Sequence, residues 1–175
     1  MNALDEIETR EEAPPDFEAT FHLHYERITR AIAQIVGDHA CAEELATEVF
    51  WTFWRNPQVQ GEKAGGWLYR TAVRRGLYEL RRRARHARYQ RLLRFTSGPP
   101  TPEQLHAATE EQEHVRKVLG TIKPRQAELL LLRSHGLSYE ELASALKLNP
   151  ASVGTLISRA QQAFRKEYTR HYGQP

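Results

Sequence analysis

The stretch Ser138–Ala160, SYEELASALKLNPASVGTLISRA, decides the fold of the C-terminal half. Ser138 followed by Glu141 is a capping box: the hydroxyl accepts one orphan N–H at a helix start, and the carboxylate reaches back to another. The helix it opens places Leu142, Ala143 and Leu146 on one apolar side. After the short turn Lys147-Leu148, Asn149 and Pro150 restart a helix, Asn as the cap and Pro at the first helical position, where a missing N–H is harmless. The small side chain of Ala143 lets the two helices cross closely. Helix, tight turn, helix is the geometry of a helix-turn-helix unit. On the second helix Val153 and Ile157 face inward. Ser152, Thr155, Ser158 and Arg159 are left outward, near the end that enters a DNA groove in such units. Short hydroxyls and a guanidinium reach base edges or phosphates. The same caps and stripe also describe an ordinary helical hairpin. Placement behind a Pro-rich linker favours the DNA-reading unit.

Helix formers dominate the rest of the chain. Ala, Leu, Glu, Gln and Arg recur in every segment and long runs of Val, Ile and Thr are missing, so the expected fold class is all-α. With 175 residues, 40% hydrophobic and 27% charged, the chain suits a soluble globular protein of one domain or two small ones. The stretch Thr96–Pro102, TSGPPTP, cannot continue a helix and is the expected flexible linker. The expected division is residues 1–15 as a disordered acidic tail, 16–95 as a first small helical domain, 96–102 as linker and 103–175 as the helix-turn-helix domain. Thr101, Pro102 and Gln104 form a further capping signal, and the helix they open carries Leu105, Val115, Val118 and Leu119. Pro124 opens the next helix, through Leu129, Leu130 and Leu132, and Gly136 closes it.

In the first domain Phe17, Phe21, Tyr25, Ile28, Ile32 and Ile35 recur at spacings of three and four, the stripe of an amphipathic helix. Gly37 is a natural stop and Asp38 a natural N-cap. Leu45, Val49, Phe50, Phe53 and Trp54 are the apolar positions of a second helix, which Asn56-Pro57 ends. The glycine-containing stretch Pro57–Gly66 reads as a loop, and a third helix runs from near Trp67 to Phe95. Trp67, Leu68, Thr71 and Ala72 bury its beginning. Beyond Arg81 it is basic nearly all round, so that end projects from the core.

The formal net charge of +3 hides a strong asymmetry. From Asp5 to Glu18 only Arg10 is basic, whereas from Arg70 to Arg94 there are ten arginines and one acid, Glu79. Segregation of this kind points to a polyanion partner for the middle of the chain. No apolar stretch approaches the roughly 20 residues of a membrane span. The acidic N-terminus lacks the basic and apolar regions of a secretory signal, and the single Cys41 forms no internal disulfide, so a cytoplasmic protein without a membrane partner is expected. The eight histidines are scattered without metal-ligand spacing, and no Gly-rich phosphate loop accompanies the acid pairs. Neither enzyme activity, cofactor nor metal is expected.

Three blocks together resemble a bacterial RNA polymerase sigma factor of the extracytoplasmic-function group. Ala42–Trp54, AEELATEVFWTFW, is similar to the helix with which that family docks on the polymerase clamp. Gly66–Ala72, GWLYRTA, followed by Leu80–Arg83, LRRR, is similar to its promoter-melting helix. Leu137–Ala143, LSYEELA, with Ser152-Val153 and Ser158–Ala160, is similar to its C-terminal helix-turn-helix. The resemblance implies a non-enzymatic initiation factor of two helical domains. The first would bind core RNA polymerase and the minus-ten element of promoter DNA, and the second the minus-thirty-five element and the polymerase flap. Members are often held by an anti-sigma partner. A regulator that works alone on duplex DNA through its helix-turn-helix is the alternative.

The residues fit these roles. Glu44 and Glu48 lie on one helix face beside Leu45 and Val49, an acidic and apolar surface that suits a protein and repels DNA. Trp51 falls off the apolar stripe, and an exposed Trp favours an interface. Arg70, Arg74, Arg75, Arg81, Arg82, Arg83, Arg85 and Arg88 can neutralise phosphates. Tyr69, Tyr78 and Tyr89 interleave with them, and some of the three can stack on an unpaired base. The loop residues Gln58, Gln60 and Lys63 stand where the family captures a flipped base. Arg74 and Tyr78 replace the family's Asn and Asp on the melting helix, and Thr47 follows Glu44-Leu45 where it carries Gln. Gly154 and Leu156 stand where the recognition helix is normally basic, and Gln161 replaces a further Arg. More of the nonspecific DNA affinity is therefore expected in the Arg70–Arg94 helix.

Overall fold

The elements follow in the order α1 (Phe17–Val36), α2 (His39–Trp54), a 3-10 turn (Pro57–Val59), α3 (Ala64–Leu93), α4 (Glu110–Thr121), α5 (Pro124–Ser134), α6 (Tyr139–Leu146) and α7 (Pro150–Tyr172). The computed structural model describes residues 17–59, 61, 63–93 and 110–173, and these contain no strand. The expected tail, the linker and the capping signal at Thr101–Gln104 lie outside the described residues.

Each boundary has a local cause. The stripe of α1 is buried at Ile28, Ile32 and Ile35, and Phe17, Phe21 and Tyr25 pack at the margin of the core. Gly37 ends the helix in the left-handed region at φ 73°. The Asp38 carboxylate then accepts from the Cys41 N–H at 3.1 Å and caps α2. In α2, Val49, Phe50 and Phe53 are buried with Ala42 and Ala46.

The third helix starts three residues before the expected Trp67. The Ala64 N–H donates to the Gly61 carbonyl, and the helix absorbs Gly65 and Gly66. These glycines serve contact rather than flexibility. A Cβ on Gly65 would meet the His24 ring at 3.3 Å, and one on Gly76 would meet Ile35 at 3.2 Å. The two contacts put α1 and α3 side by side in the same direction. Beyond Arg81, residues 82–89 of α3 are all exposed, as the charge pattern requires.

In the C-terminal half α7 packs on α4, α5 and α6. The two halves pack together: α3 also packs against α4, α5 and α6, and the α1–α2 junction at Gly37 lies beside Arg116 of α4.

Candidate nucleic-acid interface

The helix-turn-helix forms as its caps dictate. The Glu141 carboxylate accepts from the Ser138 N–H at 2.7 Å, and the Ser138 hydroxyl accepts from the Glu141 N–H at 3.2 Å. That backbone donor holds the Glu141 carboxyl below its usual pKa range. Lys147 sits in the left-handed region at φ 52°, and the Leu148 N–H closes α6 by donating to the Ala143 carbonyl at 2.8 Å. Asn149 caps α7 by accepting from the Ala151 N–H at 3.0 Å.

On α7, Val153, Ile157 and Ala160 are buried, and Ser152, Thr155, Ser158 and Arg159 are exposed on its N-terminal half. Leu156 packs at the margin of the core. Exposed Tyr139 lies beside Gly154, whose added Cβ would meet the ring at 3.5 Å, and the Arg133 guanidinium lies over that ring, 5.5 Å from its centroid.

On α2, Glu44, Glu48 and Trp51 are exposed, with Trp51 at 56%. Leu45 is half-buried. Val49 is fully buried, which corrects its assignment as a partner contact: it turns into the core formed with α1 and α3. Trp51 rests on Trp54 with ring centroids 4.9 Å apart and borders an apolar hollow of about 370 Å³ lined also by Phe17, Phe21, Tyr25 and Phe50.

The arginines of α3 are not uniformly free. Arg70 donates to the Ala145 carbonyl on α6 at 2.6 Å, and Arg74 donates to Glu128 on α5. Arg81 donates to the carbonyls of Gly120, Leu119 and Ile122 at 3.2–3.3 Å. Arg75 pairs with Glu48 at 3.2 Å. Arg82 and Arg83 both bond buried Glu79, and Arg83 reaches Asp38 as well. The hydrogen bonds from Arg82 and then Arg83 hold the Glu79 carboxyl below its usual range. Arg85 and Arg88 are exposed on the projecting end.

Tyr78 and Tyr89 are exposed at 63% and 61%, so both rings are open to a base. Tyr69 is not: it is buried at the contact between the halves, against His24 of α1 and His135 at the end of α5. Gln58 and Lys63 line a cleft of about 390 Å³ whose far wall is α6. Gln60 lies outside the described residues.

The sequence pattern missed the C-terminal side of this contact. Glu128 is 5% exposed on α5, yet it stands between Ala127 and Leu129 within the helix's apolar run. A carboxylate at such a position requires a cationic partner, and that was the available signal.

Residues 20–86 match the sigma-70 region 2 family and residues 112–163 match sigma-70 region 4. The chain is 28% identical over 166 residues to the ECF RNA polymerase sigma factor SigE of Mycolicibacterium smegmatis, covering 91% of this chain. It spans 64% of that relative's length. Its fold is similar to that of the sigma factor RpoE solved in complex with the anti-sigma factor NepR from Bartonella quintana. That match has a TM-score of 0.55 and 19% identity over 89% of this chain and 97% of the other. The two sigma-70 models together cover most of the chain, and the chain belongs to the sigma-70 family.

Proposed function

We propose that this protein is a non-enzymatic sigma factor that binds core RNA polymerase and directs promoter recognition, DNA melting and initiation. The observation that carries this reading is the pairing of two unlike surfaces in region order. An acidic face with an exposed Trp lies on α2, and a helix-turn-helix with an open recognition face lies at the other end of the chain. Glu44, Leu45, Glu48 and Trp51 would meet polymerase. Arg70, Arg74, Arg75, Tyr78, Arg81, Arg82, Arg83 and Arg85 would serve the minus-ten region and the separated strand. Ser152, Thr155, Ser158 and Arg159 would read the minus-thirty-five element from the major groove. The division into residues 16–95 and 103–175 belongs to the same reading.

Among the described residues no helix is long and apolar enough to cross a membrane, and the protein would act in the cytoplasm with polymerase. An anti-sigma partner is part of the reading too, since the structural neighbour RpoE was solved with NepR.

The test adds the purified chain to core polymerase and a genomic promoter library. Discrete new start sites are expected. A chain that shifts duplex DNA without polymerase yet never directs initiation would instead be a stand-alone regulator.

A further inference from the structure

We propose that the cleft between the α1–α2 junction and the α4–α5 pair binds a small phosphorylated metabolite of the ribonucleoside monophosphate class, with Arg116 as its anchor. The inference does not depend on the sigma reading. None of the lining residues belongs to α3, to the outward face of α7 or to the set assigned to polymerase.

The cleft holds about 740 Å³, within the range of small-molecule sites. Its floor is apolar: Ala33 of α1, Val115 and Leu119 of α4 and Leu131 of α5. Arg116 of α4 stands in its wall. The guanidinium is packed against Gly37, where an added Cβ would lie 3.0 Å from Cζ and 3.1 Å from Nε. Gly37 is thus required twice, for its φ of 73° and for the room it leaves to that group. Arg116 is half-buried, yet it makes no hydrogen bond or ion pair among the described residues. A guanidinium carries five donors. Held partly out of water without an acceptor, it has an unmet demand that the oxyanion of a ligand would fill.

The other polar groups narrow the ligand. Arg30 lines the same cleft, and its bond to Glu26 uses one guanidinium nitrogen and leaves further donors open. Two carboxylates line it as well. Asp38 is already occupied by the Cys41 N–H and by Arg83. Glu111 is exposed and has no ion pair among the described residues. A bare dianion would be repelled by Glu111, whereas a ribose offers hydroxyl donors that a carboxylate accepts. A base lays a flat apolar face on the floor, and Gln34 and Ser134 offer hydrogen bonds to its edge. Phosphate, hydroxyls and flat ring together make a ribonucleoside monophosphate. Such a ligand would touch α1, the start of α2, α4 and α5 at once, so binding should stabilise the folded chain by mass action.

Calorimetric titration of the full chain at physiological salt tests this. The probes are the four ribonucleoside monophosphates, their parent nucleosides and inorganic phosphate. At least one nucleotide should bind saturably, and its nucleoside and inorganic phosphate at least about tenfold more weakly. Arg116→Gln should weaken that nucleotide at least about tenfold while circular dichroism stays unchanged. As a second variant, Ala33→Leu fills the floor and keeps every charge. It should weaken the nucleotide and leave inorganic phosphate as it is. Arg85→Gln with Arg88→Gln, on the projecting end of α3, should leave nucleotide binding intact. Affinity that falls with that pair and not with Arg116→Gln would mean adsorption on the basic helix, and would overturn the inference. A nucleotide that binds no better than inorganic phosphate, or no saturable binding at all, would overturn it too. The sigma reading stands or falls separately, on initiation with core polymerase.

Discussion

Arg74 on α3 donates from Nε to the buried carboxylate of Glu128 on α5, 54 residues away in sequence and in the other half of the molecule. The carboxylate is 5% exposed, so its charge is held by protein and not by water. Arg74→Ala leaves it with Arg125 alone. A loss of about 1–3 kcal/mol in unfolding free energy is expected, the range for a hydrogen bond to a buried charged group. Arg75→Ala removes only a pair with Glu48 in which both side chains are about half exposed, and should cost less than about 1 kcal/mol. Denaturant titration compares the two, and equal losses would contradict the distinction.

Acid should loosen the contact between the halves before it unfolds either. Tyr69 of α3 sits between His24 of α1 and His135 of the C-terminal half, with ring centroids at 6.4 and 6.0 Å. Burial lowers the pKa of both imidazoles below the ordinary 6.5, and Arg27 adds to this for His24. Their folded values lie below their unfolded ones, so their contribution is complete above pH 6.5 and is lost as pH falls through the lowered values. The carboxyls of Asp38, Glu79 and Glu141 are also held low, but their loss comes in a more acid range, below their ordinary values of 3.8–4.5. Energy transfer between dyes on the two halves should therefore fall between neutrality and the carboxylate range, while far-ultraviolet circular dichroism holds. A His135→Phe variant should abolish most of that step, and an unchanged step would exclude the histidine.

Two glycines should respond in opposite senses to alanine. At Gly154 the new methyl would meet Tyr139 at 3.5 Å, ordinary contact, and α7 gains helix propensity. A stabilisation of up to about 1 kcal/mol is expected. At Gly76 the methyl would meet three atoms of Ile35 at 3.2–3.3 Å, and Ile35 is itself 1% exposed. Overpacking there should destabilise by about 1–3 kcal/mol. Thermal melts of the two variants decide this, and the same sign at both sites would be against it.

Polymerase affinity and fold stability should separate on α2. Trp51→Ala removes an exposed ring that touches Trp54 and Arg55, and should weaken binding to core polymerase with at most about 1.5 kcal/mol lost in stability. Val49→Ala opens space in the core at a fully buried position. It should lower stability by roughly 1–3 kcal/mol and leave the binding surface in place. Pull-down on immobilised core polymerase, read beside unfolding curves, distinguishes the two.

Elements were legible in the sequence where one local signal sufficed. The capping box at Ser138, the Asn149-Pro150 restart, Gly37 with Asp38 and the stripe of α1 all depend on neighbours within a few residues. Trp51 was legible as exposed because helical spacing sets it off the stripe. Val49 was misassigned because it lies at the edge of the stripe, where spacing alone does not say which side of Glu44–Glu48 is covered. Gly65 and Gly66 read as loop because a glycine that permits a close helix contact looks the same as one that permits a turn. The arginines were legible as a charged set but not by partner. Arg70, Arg74 and Arg81 find theirs 38–75 residues away, and no local pattern encodes that. The burial of Tyr69 was not legible for the same reason: its neighbours His24 and His135 come from elements far along the chain.

The most direct measurement is the mapping of transcript 5′ ends made by purified core polymerase with and without the chain. Start sites that appear only with the chain, share a common sequence near minus ten and minus thirty-five, and fall sharply with Trp51→Ala on α2 or Arg159→Ala on the recognition helix are expected. An unchanged start-site map in the presence of folded, polymerase-bound chain would contradict the central claim.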